Sequence, residues 1–189
     1  MDADKLEAYR GKRDAARTPE PVPAEPAAAT QNPDGGMFVI QEHHARRLHW
    51  DVRLERDGVL VSWAVPKGVP DDPAVNHLAV HTEDHPLEYG SFEGEIPRGQ
   101  YGAGSMTIWD SGTYDLLKDS PNEYKVHFHG TRLIGEWVLV QTKQNDGRDW
   151  LMIRHGTPEK DHPLDAKIEP MLAITADEPF DSPEFAFEP

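Results

Sequence analysis

The stretch Leu48-His49-Trp50-Asp51-Val52-Arg53-Leu54-Glu55 alternates apolar and polar residues, and that alternation decides the fold class. Successive side chains of a β-strand point to opposite faces. Leu48, Trp50, Val52 and Leu54 then form one continuous apolar face, and His49, Asp51, Arg53 and Glu55 share the other. Around this strand lie further short runs rich in Val, Ile, Trp and Thr, at 37–42, 59–65, 78–82, 105–109, 124–129, 132–142 and 150–155. Turn signals separate them: Asp57-Gly58, Ser111-Gly112, Gly130 and Asn145-Asp146-Gly147. About eight strands, with no convincing helix after residue 20, predict a mainly all-β protein. A compact β-barrel, closed or nearly so, is expected because closure removes exposed strand edges.

Outside the strands the composition changes. Residues 1–17 alternate charges and Ala in a helix-compatible way, with Leu6, Tyr9, Arg10 and Arg13 spaced along them. Residues 18–36 hold five prolines, which break helix and ladder alike, so they read as a linker or extended arm. Residues 156–189 are again Pro-rich and acidic and read as a tail. The expected organisation is a helix and arm over 1–36, a barrel over 37–158 and a linker with the start of another domain over 159–189. The 189 residues include no Cys, which removes disulfide frameworks, thiolate zinc sites and cysteine nucleophiles together. No apolar stretch approaches the ~20 residues of a membrane helix, and the charged N-terminus has no apolar run behind it. A soluble, cytoplasmic protein is expected.

The net charge of −15 argues against a broad nucleic-acid footprint. Its distribution weakens the objection. Residues 157–189 carry two Lys against nine acidic residues, whereas 38–67 carry five Lys/Arg against four acids plus three His. A small phosphate site fits the second stretch.

That stretch also carries the chemistry. His49-x-Asp51 places a neutral nitrogen and an anionic oxygen on one face, about two strand residues or ~7 Å apart. His43 can return as a third ligand through the turn His44-Ala45-Arg46-Arg47, and Arg53 follows in phase, suited to an anionic oxygen. Two readings stand on spacing alone: a metal site, or a polar barrel face with two hydrogen-bonded histidines. The second cluster, His77 to Tyr89, adds His81, Glu83, His85 and Tyr89. His85 precedes a proline and is biased to an extended conformation at a strand exit. There it can act as an acid or charge stabiliser, or be a turn histidine with Tyr89 at the core rim. Gly94 to Gly104 reads as a structural turn needing positive φ values, with Arg98 a secondary phosphate contact. Lys67, at the exit of the Ser62-Trp63-Ala64-Val65-Pro66 strand, is a phosphate contact or a surface lysine. The five tryptophans fall in strand patterns and read as core.

These motifs resemble the phosphoesterase domain of bacterial DNA ligase D. The resemblance rests on Phe38 to His43, Leu48 to Glu55, Ser62 to Gly68, His81 to Tyr89 and Phe92 to Gly104, and spans roughly 5–156. It implies a compact barrel with a manganese-dependent site that trims DNA 3′ ends. Such a domain removes a terminal ribonucleoside and then the remaining 3′-phosphate. By matching motif, the resemblance makes His43, His49 and Asp51 the metal ligands, Arg53 and His85 the groups on the scissile phosphate, and Tyr89 an assisting hydroxyl. Lys12-Arg13-Asp14 and Thr18-Pro19-Glu20-Pro21 match an N-terminal arm, which implies that Arg13, Asp14 and Glu20 fold back to the site. Glu83 is carried over as well. His77 stands where a basic residue is expected.

Ile168 to Ala173 and Phe185 to Pro189 resemble the lead-in to an ATP-dependent ligase domain. The implied partners are DNA 3′ ends, a ligase domain in the same natural chain, and end-joining machinery including Ku. Two rival readings differ in class. One is an iron(II), 2-oxoglutarate oxygenase barrel, whose third ligand would come from His127, His129 or His155. The other is a non-catalytic module that binds a partner through its acidic tail.

Overall fold

The computed structural model describes residues 4–24 and 33–156. One short helix, α1 (Glu7–Gly11), precedes nine strands: β1 (Gly35–His44), β2 (Leu48–Arg56), β3 (Val59–Val65), β4 (Asn76–His81), β5 (Gly94–Ile96), β6 (Gly104–Ser120), β7 (Glu123–His129), β8 (Ile134–Gln141) and β9 (Asp149–His155). Eight of them close a barrel in the order β1-β2-β3-β4-β9-β8-β7-β6, and a second pairing of β6 with β1 seals it. Every pairing is antiparallel. β5 lies outside the circuit, added to the start of β6.

The alternation read from the sequence sets the two faces of the wall. Phe38 and Ile40 of β1, Val52 and Leu54 of β2, and Trp63 and Val65 of β3 cluster with Phe128, Trp137 and Met152 from across the barrel. These fill the interior. Their neighbours Val39, Gln41, His43, His49, Asp51 and Arg53 therefore point outward, yet all are buried as well. A second cluster explains this. Leu6 and Tyr9 of the N-terminal segment pack with Val39, Val59, Leu60, Tyr89 and Met106 on the outside of the wall. The arm is a lid on the outer face of β1–β3, tied down by Tyr9 Oη donating to the Pro21 carbonyl at 2.8 Å. Helix α1 covers five residues rather than most of 1–17.

Two turn signals behave differently. Asp57 and Gly58 take positive φ (48° and 81°) and close the two-residue β2–β3 hairpin, as the primed turns require. Ser111-Gly112, expected as a turn, instead lies inside β6, paired to Val39 and Phe38. A Cβ on Gly112 would meet the His129 carbonyl oxygen at 2.2 Å, so this glycine serves a close backbone approach. β6 is thus one long strand, where the sequence showed only its first part. Trp109 is the extra residue of a bulge, with Ile40 opposite Asp110 and Gln41 opposite Ile108. Trp63, Trp137 and Trp150 are core as expected, while Trp50 and Trp109 are only partly buried against it. The Gly94–Gly104 segment does take positive φ at Gly99 and Gly102, but its first residues form β5. The acidic tail and the ligase-like segments at 168–173 and 185–189 lie outside the described residues. Among the described residues no helix is long and apolar enough to cross a membrane.

The β7–β8 turn depends on Asp110, which is 5% exposed. Its carboxylate accepts from the Thr131, Arg132 and Leu133 amides at 3.0, 3.0 and 2.8 Å. Asp110→Ala leaves these donors unsatisfied and is expected to lower stability by about 3 kcal/mol. Asp110→Asn keeps an acceptor oxygen and loses less, as denaturant unfolding of both variants will show.

Candidate metal centre

β1 and β2 form a hairpin in which His43 and His49 are directly opposed. Their ring centroids lie 4.7 Å apart. Asp51, one alternation further along β2, puts its Oδ2 3.6 Å from His43 Nδ1 and its Oδ1 3.7 Å from His49 Nε2. One ligand atom from each of the three falls within 4.8 Å of the others, and no other such group exists among the described residues.

Each imidazole is oriented from behind. His43 Nε2 lies 2.9 Å from the Gly102 carbonyl and His49 Nδ1 3.0 Å from the Arg47 carbonyl. A carbonyl only accepts, so these nitrogens carry the protons. The lone pairs are then His43 Nδ1 and His49 Nε2, the two atoms turned to Asp51. Two neutral nitrogens and one carboxylate, all buried and converging, fit a divalent transition metal.

Asp51 is ionised despite burial. Burial pushes its carboxyl up, but the Arg53 guanidinium beside it outweighs this and holds it far below the usual carboxylate range. Arg53, 2% exposed, donates through Nε to Gln41 Oε1 (2.7 Å), through NH1 to Ser62 Oγ (2.9 Å) and through NH2 to Asp51 Oδ2 (3.1 Å). Its Cζ lies 4.7 Å from the centre of the Tyr89 ring. Three of its five N–H groups are thus engaged in orienting neighbours. The sequence alone assigns this residue only to substrate.

The arm supplies the next layer. Arg13 donates to Glu20 Oε1 and Glu83 Oε1, both at 3.0 Å, and its NH2 lies 3.4 Å from His85 Nε2. Glu20, 5% exposed, also accepts from the Tyr89 hydroxyl at 3.0 Å. His85 is pinned by a two-way backbone bridge to Leu60 and by Nδ1 donating to the Glu83 carbonyl at 2.8 Å. Its Nε2 then faces Arg13 as an acceptor. Burial, followed by the Arg53 and Arg13 charges, keeps its pKa well below the ordinary value of 6.5. His85 is therefore neutral at neutral pH, and as an acid it must first gain a proton.

The sequence model of the DNA ligase D 3′-phosphoesterase domain matches residues 41–141, more than half of the chain. The chain belongs to this family. It is 55% identical over 178 residues to the multifunctional non-homologous end joining protein LigD of Mycobacterium bovis, covering 90% of this chain and 22% of that protein. The corresponding protein of Mycolicibacterium smegmatis is 54% identical over 182 residues (90% and 23%). That of Pseudomonas aeruginosa is 44% identical over 158 (79% and 18%). The chain thus spans about a fifth of the length of these relatives.

The residues singled out from the sequence divide into two groups. His43, His49, Asp51, Arg53, His85, Tyr89, Glu83, Arg13 and Glu20 come together in one contiguous network. Asp14 does not join them: it is exposed, and its Oδ1 accepts from the Ala16 amide two residues on. Lys67 and Arg98 are likewise exposed. His77 is tied to the Gly68 carbonyl at 2.7 Å. His127, His129 and His155 lie on β7 and β9, with His129 paired to Asp115 and His155 to Glu136. None of them is in the metal group, whose third member, His43, lies on the adjoining strand β1.

Sequence reasoning missed Tyr9, Gln41, Ser62 and Gly102. Tyr9 stacks on Arg13, 3.7 Å from its ring centre to Cζ, and packs edge-on against His85. Its one signal was an aromatic residue three positions after Leu6 in an otherwise charged segment. Gln41 holds the Leu87–Ser91 3₁₀ turn through the Tyr89 and Phe92 carbonyls.

These shifts give stability a definite pH dependence. The folded pKa of His85 lies below its unfolded value, so its contribution is complete above about pH 6.5 and is lost as pH falls further. Glu83, whose carboxyl is raised by burial but held low by Arg13 and Lys12, loses its contribution only below about pH 4.5. Thermal unfolding in chelator is therefore expected to show two stages of destabilisation on acidification. The upper stage should become shallower in His85→Gln, and what remains comes from His49 and His81, whose pKa values burial also lowers.

Proposed function

We propose that this chain is a manganese-dependent 3′-end-processing phosphoesterase acting on DNA. The convergence of His43, His49 and Asp51 beside two buried guanidiniums supports the reading best. In the first reaction the oxygen of a water molecule bonds to phosphorus as the P–O5′ bond of a terminal ribonucleoside breaks, a proton passing to O5′, so that the nucleoside is released and a 3′-phosphate remains. In the second a water oxygen again bonds to phosphorus as the P–O3′ bond breaks and O3′ takes a proton, releasing inorganic phosphate and leaving a 3′-OH.

His43 Nδ1, His49 Nε2 and an Asp51 oxygen would hold the cation; two nitrogens, one oxygen and no thiolate suit a divalent transition metal, and the family resemblance makes manganese the choice among them. When bound, a divalent ion there supplies a Lewis acid to a phosphate oxygen. The protein's own residues do the remainder. Asp51 stays ionised because Arg53 is beside it. Arg53 has N–H groups on NH1 and NH2 beyond those engaged with Ser62 and Asp51, and its guanidinium charge would offset the charge that builds on the phosphoryl oxygens. His85 Nε2 is the atom that holds a proton when a phosphate displaces its long contact with Arg13. Tyr89 and Glu20 keep the lid registered over these groups.

In the natural setting the proposed partners are a DNA 3′ end, an ATP-dependent ligase domain in the same chain, and the end-joining machinery including Ku, in the cytoplasm. The boundaries 1–36, 37–158 and 159–189 are proposed as the domain limits.

The test is a 5′-labelled primer ending in one ribonucleotide, incubated with purified protein and manganese. The expected products are the 3′-phosphate and then the 3′-OH strand. His43→Ala and His49→Ala are expected to lower both steps by roughly a thousandfold with little change in the unfolding midpoint. They are better probes than Asp51→Ala, which leaves the buried Arg53 charge without its carboxylate. Undiminished trimming in either histidine variant would refute the assignment.

A further inference from the structure

A cavity of about 230 Å³ opens between the N-terminal arm, the exit of β4, the loop before β6 and the β8–β9 turn. Lys12, His81, Glu83, Tyr101 and Arg148 line it. Two short paths join it to the centre. Glu83 accepts from Lys12 (3.2 Å) and Tyr101 Oη (3.4 Å) on the cavity side and from Arg13 (3.0 Å) on the other, and Arg13 reaches His85. Gly102, next to Tyr101, holds His43 through its carbonyl.

The charge around this cavity does not cancel. Arg13 and Lys12 together offset Glu20 and Glu83. Arg148 is then surplus at the rim, and its described side-chain bond is to the neutral Asn145 oxygen at 2.6 Å. In a chain of net charge −15, a concave site with surplus positive charge selects an anion. The rings of His81 and Tyr101 add apolar wall to the same space.

We propose that this cavity binds the phosphodiester immediately 5′ of the scissile phosphate, with Arg148 and Lys12 on the anion and the Tyr101 and His81 rings against the adjoining sugar. The inference rests on the phosphoesterase reading above. The direction follows from the chemistry: the departing terminal nucleoside carries no phosphate beyond the scissile one. A second phosphate near the centre therefore belongs to the 5′ side.

Steady-state kinetics on two substrates tests this: a 3′-phosphorylated dinucleotide, which carries the extra phosphodiester, and a nucleoside 3′-phosphate, which lacks it. Arg148→Glu is expected to raise KM for the dinucleotide about fivefold to tenfold, with kcat and the KM of the mononucleotide unchanged. It should also flatten the dependence of dinucleotide affinity on salt by about 0.7 in logarithmic slope, one single-strand phosphate contact. Lys118→Glu, at the other end of β6, controls for net charge and should move neither KM. Equal effects of Arg148→Glu on both substrates, or none on either, overturn the subsite while leaving the phosphoesterase reading intact. Should the wild-type protein hydrolyse neither substrate, the primer assay described above still decides that reading. Equilibrium titration with a fluorescent dinucleotide then decides the subsite: weaker binding by Arg148→Glu upholds it and equal binding overturns it.

Discussion

Asp51 and Arg53 form an ion pair, 8% and 2% exposed, on the outer face of one strand. Charges taken out of water are tolerated only where every neighbour is arranged to satisfy them. Much of the outer wall can be understood as that arrangement. Gln41 and Ser62 complete the guanidinium, Tyr89 lies under it, and the histidines flank the carboxylate. A layer further out, Arg13 is neutralised by Glu20 and Glu83. The lid and the wall are thus one electrostatic unit assembled from segments far apart in the chain.

The barrel supplies what this unit needs. Antiparallel pairing sets His43 opposite His49 without further adjustment, since directly opposed residues are the closest neighbours across two strands. A bulge at Trp109 interrupts the β1–β6 register between Ile40, which faces the interior, and Gln41, which faces the centre. Bulges of this kind re-aim side chains beside functional sites. The chemistry sits on the outside of the cylinder, and the interior is left to Trp63, Phe128, Trp137 and their neighbours.

Period-two alternation exposed most of this in the sequence, because one strand carries both faces. Leu48 to Glu55 identified the wall, and the His43–His49 return followed from a short turn. The arm was different. Residues 4–24 contribute Leu6, Tyr9, Arg13 and Glu20 to burial, yet their proline and charge content reads as solvated, and only the family resemblance indicated that they fold back. Local composition carries no information about which distant surface will cover a segment. β6 was under-read for a related reason. Gly112 looks like a turn residue, and the His129 carbonyl that makes it necessary belongs to another strand. The contacts of Arg53 could not be read either, since spacing places a guanidinium on a face without naming its partners.

Because β2 serves the interior with one set of residues and the centre with the other, its length is fixed in a way its composition is not. One residue added or removed near Trp50 would shift every position beyond it to the opposite side. Arg53 would then enter the packed cylinder and Leu54 the polar layer. Conservative exchanges of Val52 or Leu54 cost only packing, whereas a single-residue insertion would damage barrel and centre together.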